Sequence, residues 1–214
     1  MFGDLGRYGV IPVVAVVTVD EGLRLCEALL AGGLPAAEIT FRTAAAEGTI
    51  REVSQRFPEM TVGAGTVLTV ADLDRAADAG ATFAVAPGCN PVVMSHAVDC
   101  GFAFAPGVCT PSDVERAVDC GVKTLKFFPA EASGGLPMLK ALIGPYGHLG
   151  LSFCPTGGIT PANMRDYLAL PQVSVVGGTW LAKKELLAAG DWGQITALAR
   201  EAVALAACGI SVGE

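Results

Sequence analysis

One lysine inside an apolar run is the residue of this sequence best suited to covalent chemistry. Residues 122–128 read Val-Lys-Thr-Leu-Lys-Phe-Phe, so Lys126 would share one face of a strand with Thr124 and Phe128. Burial of a lysine is costly unless the group is paired or used, and it favours the neutral amine that attacks a carbonyl carbon. The alternative is an ammonium group that reaches out to solvent from the strand end. Lys123 has the opposite parity and is predicted to be structural.

A carboxylate and a guanidinium occupy a second apolar run, at residues 36–42. Glu38 shares a predicted face with Thr40 and Arg42. If that face is the inner one, Glu38 is a candidate general acid/base and Arg42 a clamp for a substrate carboxylate. The alternative is a structural contact between Glu38 and Arg42. Together with Lys126, the set predicts a site for a small-molecule 2-keto acid.

Glycine-rich segments close three of the predicted strands. Residues 63–66 read Gly-Ala-Gly-Thr, and the hydroxyl of Thr66 would either bind an oxyanion or cap a helix. Gly157 and Gly158 follow the seventh strand, and Gly178 and Thr179 follow the eighth. In α/β barrels such loops often bind phosphate through backbone N–H groups. The alternative is a pair of tight turns.

Short apolar runs alternate with amphipathic stretches along the chain, which predicts a parallel sheet. The eight predicted strands lie at 11–17, 37–42, 61–65, 82–86, 102–105, 122–127, 151–155 and 173–176. The predicted helices lie at 19–31, 44–56, 70–79, 91–100, 111–120, 136–143, 161–168, 180–188 and 192–207. Eight strands favour a single closed (β/α)8 TIM barrel, with an open doubly wound sheet as the alternative.

Helix ends carry recognisable signals. Ala-Ala-Asp-Ala-Gly at 76–80 and Ala-Val-Asp-Cys-Gly at 97–101 and 117–121 form a weak repeat. Each glycine is predicted to end a helix in the left-handed conformation before a strand begins. The pairs Thr110-Pro111 and Thr160-Pro161 are each predicted to cap a helix that begins at the proline.

Composition excludes several classes of protein. The chain has 214 residues, 52% hydrophobic and 16% charged, with a net charge of −7. Such a chain is not disordered, and without a basic cluster it is not expected to bind nucleic acid. Seven cysteines without paired spacing and only two histidines predict reduced thiols and no metal site. We expect one cytoplasmic domain over 1–214 that does not enter a membrane, with a lead-in at 1–9 and a loose tail at 209–214.

Six strings of this sequence resemble the 2-keto-3-deoxy-6-phosphogluconate and 4-hydroxy-2-oxoglutarate aldolase family. In one-letter code they are EITFRT at 38–43, GAGTVL at 63–68, PGVCTP at 106–111, LKFFPAE at 125–131, CPTGGI at 154–159 and VGGTW at 176–180. They occur in order over most of the chain, and LKFFPAE is the most specific.

The resemblance implies a class I aldolase without a cofactor or a metal. Lys126 would be the Schiff-base lysine and Glu38 the general acid/base. The pyruvate pocket would comprise Arg42, Thr66, Pro87, Phe128 and Thr156. The phosphate site would comprise Gly157, Gly158, Gly178 and Thr179. The resemblance also implies a homotrimer.

The resemblance implies two cleavage reactions and leaves a third substrate as an alternative. The expected cleavages are of 2-keto-3-deoxy-6-phosphogluconate to pyruvate and glyceraldehyde 3-phosphate, and of 4-hydroxy-2-oxoglutarate to pyruvate and glyoxylate. The galactonate-derived epimer is an alternative substrate. Thr179 replaces the family's usual serine, and Cys89-Asn90 replace a Leu-Thr pair. The rival hypotheses are a phosphate-binding barrel isomerase or epimerase, and a non-catalytic binding barrel.

Overall fold

Strands and helices alternate along the chain. The computed structural model describes residues 2–207, and the tail predicted at 209–214 lies outside them. The strands are β1 (Val10–Val14), β2 (Ala36–Thr40), β3 (Thr61–Gly65), β4 (Phe83–Val85), β5 (Phe104–Ala105), β6 (Gly107–Val108), β7 (Thr124–Phe127), β8 (Ser152–Phe153) and β9 (Val176–Gly178). The helices are α1 (Phe2–Leu5), α2 (Val19–Ala31), α3 (Ala46–Arg56), α4 (Val70–Asp78), α5 (Pro91–Asp99), α6 (Pro111–Asp119), α7 (Gly135–Tyr146), α8 (Met164–Leu168), α9 (Lys184–Ala189) and α10 (Trp192–Ala207).

The strands pair in parallel, which confirms the predicted α/β fold. Six form a curled sheet in the order β5-β4-β3-β2-β1-β9, and three form a sheet in the order β6-β7-β8. The register sets Glu38 of β2 beside Gly63 of β3, and Lys126 of β7 beside Gly107 of β6. A single bridge joins Thr156, just beyond β8, to Gly177 of β9. The carboxyl ends of both sheets therefore carry the residues singled out from the sequence.

The fifth predicted strand is longer than expected and is interrupted. It was predicted at 102–105, but the chain pairs first through β5 with β4 and then through β6 with β7. Pro106 separates the two segments, because proline has no N–H to continue the ladder. Its carbonyl accepts a hydrogen bond from the backbone N–H of Lys126, at 2.8 Å.

Most strand ends differ from the prediction by one to three residues, and β9 begins at Val176 rather than at residue 173. β1 stops at Val14 rather than at residue 17, because Val17 is 70% exposed and its N–H donates to the Glu21 carboxylate at 2.6 Å. β2 stops at Thr40, which leaves Arg42 in the following turn. β9 extends through Gly177 and Gly178, which were predicted to be a loop.

Helix starts are predicted well where a cap is present. Thr110 caps α6, which begins at Pro111 and has a reciprocal bond from Asp113. The same prediction for Thr160 and Pro161 is wrong, since α8 begins at Met164. There the Asn163 side chain accepts from the Thr160 N–H at 2.8 Å and closes a turn before the helix. The helix predicted from residue 180 likewise begins at Lys184.

The repeated glycines behave as predicted. Gly80, Gly101 and Gly121 follow α4, α5 and α6 with φ angles of 90°, 65° and 82°. These angles lie in the left-handed region, where a side chain would be strained. Each glycine therefore turns the chain from a helix towards the next strand.

Packing holds both ends of the described chain against the rest of the fold. Phe2 of α1 is buried against Phe83 of β4, with ring centroids 5.2 Å apart. Near the other end, α10 packs on α2, and Thr196 donates to the Ala28 carbonyl at 2.9 Å. Among residues 2–207, no helix combines the length and apolar character required to cross a bilayer.

Candidate active site

Lys126 and Glu38 form a buried ion pair. The lysine Nζ lies 3.1 and 3.2 Å from the two carboxylate oxygens of Glu38. Lys126 is 6% exposed and Glu38 4%, so the lysine does not reach out to solvent as the alternative required. The pair brings together strands β7 and β2, which are 88 residues apart in the sequence. Because the two groups touch directly, a proton can pass between them without an intervening water.

The space for the Glu38 side chain is provided by a glycine. A Cβ atom added to Gly65 of β3 would lie 2.2 Å from Oε1 of Glu38 and 2.8 Å from Cδ and Cγ. No side chain larger than hydrogen fits there unless the carboxylate moves. The sequence contained the signal for this contact in Gly-Ala-Gly, but did not indicate which side chain the glycine faces.

Arg42 lies beside the ion pair but is not part of it. Its Nε donates to the Thr40 hydroxyl at 3.2 Å, and its side chain is exposed. The alternative of a Glu38–Arg42 contact is wrong, because the carboxylate of Glu38 pairs with Lys126. Arg42 instead lines a cavity of about 520 Å³ together with Thr43, Thr179 and Lys183. An arginine at such a position can bind a carboxylate of a small molecule.

Thr66 adopts an unusual backbone conformation directly after β3. Its φ angle is 59°, and no other non-glycine residue in the described range has a positive φ. A threonine in this region is strained by roughly 1–3 kcal/mol, and such strain is often found at functional sites. The alternative role of a helix cap is wrong, because Thr69 caps α4 by accepting from the Asp72 N–H at 3.1 Å.

Phe128 and Pro87 flank the lysine strand. The Phe128 ring centroid is 5.5 Å from the Nζ of Lys126, within range of a cation–π contact. Pro87 is exposed just beyond β4, and a Cβ on Gly107 would meet the Pro87 carbonyl oxygen at 2.1 Å. Since Gly107 pairs with Lys126, Pro87 packs against the neighbour of the lysine rather than against the amine.

Thr156 and Cys154 are buried next to the ion pair. Thr156 is 2% exposed, and its hydroxyl lies 3.4 Å from the Cys154 carbonyl. Burial raises the pKa of the Cys154 thiol to about 11, although the positive charge of Lys126 opposes the rise. The thiol is therefore protonated near neutral pH, and it lacks the thiolate character of a nucleophilic cysteine.

The Gly157–Gly158 loop presents an unpaired backbone donor at Gly158. Its φ angles are 101° and 80°. The carbonyls of Thr156 and Gly157 accept from the N–H groups of Ala130 and Glu131 at 2.8 and 3.0 Å. The parallel bridge between Thr156 and Gly177 directs the Gly157 N–H at the Gly177 carbonyl, whereas no hydrogen bond found among residues 2–207 uses the N–H of Gly158. Free N–H groups in a glycine loop can bind an anion.

Gly178 and Thr179 lie at the end of β9. Gly178 is buried, and a Cβ there would meet the Trp180 ring at 2.5 Å. Thr179 is exposed on the wall of the cavity that Arg42 lines. The alternative of two tight turns is wrong here, because Gly177 and Gly178 pair with β1.

Two features of this region were missed from the sequence. Lys183 received no role from the sequence, and it lines the same cavity as Thr179. Glu131 was given no role, yet it accepts a hydrogen bond from the buried Tyr167. Their positions close after β9 and β7 are the only sequence signals they offer. In the part of the chain that the structure describes, no three His, Cys, Asp or Glu side chains cluster to hold a metal ion.

Comparison with known proteins gives the same assignment for nearly the whole chain. The sequence matches the family model "Aldolase: KDPG and KHG aldolase" over residues 4–198. The chain belongs to this family. The KHG/KDPG aldolase of Escherichia coli K12 is 45% identical over 194 residues, which cover 91% of this chain and 90% of the relative.

Solved structures agree with this assignment. The 2-keto-3-deoxy-6-phosphogluconate aldolase of Zymomonas mobilis, with 3-phosphoglycerate, has a TM-score of 0.87 and 40% identity, covering 95% of both chains. The aldolase of Legionella pneumophila, with pyruvate captured as a covalent carbinolamine, has a TM-score of 0.88 and 37% identity. It covers 94% of this chain and 97% of its own.

Proposed function

We propose that this family member is a class I aldolase in which Lys126 forms an imine with a 2-keto acid. It reversibly cleaves 2-keto-3-deoxy-6-phosphogluconate to pyruvate and glyceraldehyde 3-phosphate, and 4-hydroxy-2-oxoglutarate to pyruvate and glyoxylate. The observation that carries the proposal is the buried contact of Lys126 with both carboxylate oxygens of Glu38, at 3.1 and 3.2 Å. An isomerase or epimerase that binds phosphate would have no need of this amine.

The reaction begins at the amine. A proton passes from Lys126 to Glu38, and the neutral Nζ attacks the C2 carbonyl of the substrate. Glu38 returns this proton to the hydroxyl of the carbinolamine, which leaves as water, so that a protonated imine and the Glu38 carboxylate result. The related aldolase that holds pyruvate as a carbinolamine supports this first step.

Glu38 then acts as the general base. As a carboxylate it removes the proton from the C4 hydroxyl, the C3–C4 bond breaks, and the electron pair moves to the imine nitrogen to give an enamine. The aldehyde leaves, a proton is added at C3, and water hydrolyses the imine to release pyruvate. Lys126 and Glu38 thereby return to their starting forms.

The remaining residues hold the substrate at its two ends. Arg42 binds the carboxylate, and Thr66, Pro87, Phe128 and Thr156 complete the pyruvate pocket. Fixing the carboxylate holds C2 near Nζ, which contributes by orientation rather than by electronic effects. Gly157, Gly158, Gly178 and Thr179 bind the phosphate, and the unpaired N–H of Gly158 supports this role.

The same proposal includes the closed form of the fold. The pairing of β9 with β1, the split strand at Pro106 and the bridge from Thr156 to Gly177 support one eight-stranded barrel. Segments β5 and β6 together make its fifth strand. The barrel forms one domain over 1–214 and assembles as a homotrimer in the cytoplasm. Light scattering should give three chains per particle, and a monomer would overturn that part.

Trapping with borohydride tests the chemistry. Incubation with pyruvate and borohydride should reduce the imine and add the mass of the adduct to the peptide that contains Lys126. The variant Lys123→Ala, on the same strand, should be labelled like the wild type, whereas Lys126→Ala should not be labelled and should not cleave substrate. Absence of an adduct, or an adduct at another lysine, would refute the proposal.

A further inference from the structure

Glu131 joins the end of the lysine strand to helix α8. It lies four residues beyond β7, and its Oε1 accepts a hydrogen bond from the hydroxyl of Tyr167 in α8. Tyr167 is only 1% exposed. Burial and the hydrogen bond to Glu131 raise the pKa of Tyr167, so the phenol keeps the proton that it donates. The link is therefore maintained across the physiological pH range.

The same glutamate contacts the Gly157–Gly158 loop through its backbone and its side chain. Its backbone N–H donates to the Gly157 carbonyl at 3.0 Å. Its side chain packs directly on Gly158, where an added Cβ would lie 2.5 Å from Cγ and 2.6 Å from Cβ of Glu131. Gly157 and Gly158 both have left-handed φ angles, so the loop has little stiffness of its own.

Helix α8 holds the loop from the other side. Asn163 donates from its side chain to the Gly158 carbonyl at 3.2 Å and accepts from the Thr160 N–H at 2.8 Å. Tyr167 lies four residues further, one helical turn along. The carbonyls of Gly157 and Gly158 are thus fixed from two elements, while the N–H of Gly158 makes no bond within the described chain.

We propose that Glu131, through its bond to Tyr167, is a positioning residue that holds the Gly157–Gly158 loop, with the unpaired N–H of Gly158, towards the phosphate of the substrate. The inference rests on the proposed function, because it requires the phosphate to bind at this loop. Without the link, the loop samples other conformations, and the substrate phosphate must order it on binding. Glu131 acts on binding of the phosphorylated end and not on imine formation.

Steady-state kinetics with two substrates tests the proposal. In Glu131→Ala and Tyr167→Phe, KM for 2-keto-3-deoxy-6-phosphogluconate should rise about tenfold, equivalent to ~1.4 kcal/mol. Its kcat should change less than about twofold. KM for 4-hydroxy-2-oxoglutarate, which has no phosphate, should stay the same. Glu131→Gln should restore most of the affinity, because its amide oxygen can still accept from Tyr167.

The chain offers a matched control for this pair. Tyr146 of α7 donates to Glu115 of α6 at 2.9 Å, also as a tyrosine–glutamate bond between elements, but on the exposed surface. Tyr146→Phe should leave both KM values unchanged. A KM that rises equally for both substrates in Tyr167→Phe and Glu131→Ala, or a lowered Tm with both KM values unchanged, would overturn the proposal.

The borohydride experiment distinguishes failure of the proposed function from failure of the positioning role of Glu131. If wild-type protein shows no pyruvate adduct at Lys126 after borohydride, the aldolase assignment fails and this inference fails with it. If the adduct forms and the Glu131 variants show no substrate-dependent split in KM, only the positioning role is wrong. Labelling of Glu131→Gln at the wild-type level confirms that the variant is folded.

Discussion

The contact between Lys126 and Glu38 reconciles two opposing demands on a buried amine. A charged lysine in the interior needs an opposite charge beside it, whereas a nucleophile needs a free electron pair. Transfer of one proton over the 3.1 Å contact converts the ion pair into a neutral amine and a neutral acid. No net charge enters or leaves the interior in that step, so the activation avoids a desolvation cost.

The stability of two variants of this pair is the first prediction. Lys126→Met should lower the free energy of unfolding by about 3–5 kcal/mol, because it leaves the Glu38 carboxylate buried and unpaired. The double variant with Glu38→Gln should be more stable than Lys126→Met alone. Urea unfolding measures the free energy of unfolding of the wild type, of Lys126→Met and of the double variant. A Lys126→Met variant as stable as the wild type would contradict the assignment of a desolvated pair.

A second prediction concerns the glycine opposite Glu38. In Gly65→Ala the new methyl group would lie 2.2 Å from Oε1 of Glu38, so the carboxylate must move away from Lys126. A misplacement of about 1 Å can cost on the order of 100-fold in rate, and we expect kcat to fall by this amount. Gly144→Ala in α7 is the control, because no atom lies within 4 Å of its added Cβ. Equal kcat values for the two variants would count against the role of Gly65.

Individual residues differ in how well their roles follow from the sequence. The alternation of side chains along a strand was enough to separate Lys126 from Lys123 and to link Glu38 with Thr40. The partner of Glu38 was not predictable from its own strand, since Arg42 was the nearer cation in sequence. Pairing with Lys126 depends on how two strands that are 88 residues apart in the sequence face each other. No local sequence pattern predicts such a contact.

At the level of elements, caps determine where helices begin. Thr110 and Asp113 form a capping box at α6, and Asp113 also accepts from the Cys109 and Thr110 N–H groups at 3.1 and 3.0 Å. Burial would raise the pKa of Asp113, but bonds from Thr110 and the backbone lower it on balance. The folded protein thus favours the charged form, and this contribution to stability is present above the normal pKa and lost on acidification.

Removal of this cap is the third prediction. Asp113→Ala should lower the free energy of unfolding at pH 7 by about 1 kcal/mol, and the difference from the wild type should shrink below about pH 4. Asp119→Ala, at the exposed end of the same helix, should cause no loss, since an acidic residue is unfavourable there. Thermal unfolding at pH 7 and pH 3 measures both. A constant difference across pH would contradict the charged cap.

Element types were predictable, but several boundaries were not. Apolar runs and caps predicted the alternation of strands and helices, including α2 at its observed bounds. Gly177 and Gly178 were predicted to be a loop, because glycine is a poor strand former. They remain in β9 because they pair with Ile11 and Pro12 of β1. Glycine is required at both positions because Thr156 and Trp180 occupy the space that side chains would need.

On the scale of the whole molecule, buried thiols make stability depend on alkaline pH. Burial raises the pKa of Cys26 to about 12 and that of Cys154 to about 11, both from 9.0. Between pH 9 and 11 an unfolded chain releases these protons while the folded chain keeps them. The unfolded state then binds fewer protons, so the free energy of unfolding falls as pH rises.

The fourth prediction follows from this fall in the free energy of unfolding at alkaline pH. Above pH 9, each thiol should lower the free energy of unfolding by at most roughly 1.4 kcal/mol per pH unit. Urea unfolding at pH 8 and pH 10.5 should show a smaller decline in Cys154→Ala than in the wild type. Cys100→Ala, at an exposed position, is the control and should decline like the wild type. Parallel declines in all three proteins would assign the effect to other groups.

The architecture as a whole was predictable as a class. Strict alternation with short loops indicated parallel strands, and the sheet order with β9 beside β1 agrees with it. The division of the fifth strand was not foreseen, since the pattern ended before Pro106. Whether a proline ends a strand or only interrupts it depends on the pairing available beyond it, here with β7.

The separation of the two ends of the site has a practical consequence. Lys126 and Glu38 lie on β7 and β2, whereas Thr179 is exposed after β9 on the wall of a cavity it shares with Lys183. Arg42 lines the same cavity and is kept as the proposed carboxylate clamp, whereas Thr179 and Lys183 can be exchanged without touching the buried pair. A biocatalyst built on this scaffold could therefore accept a wider range of aldehydes in carbon–carbon bond synthesis by variation at 179 and 183, with pyruvate kept as the constant donor.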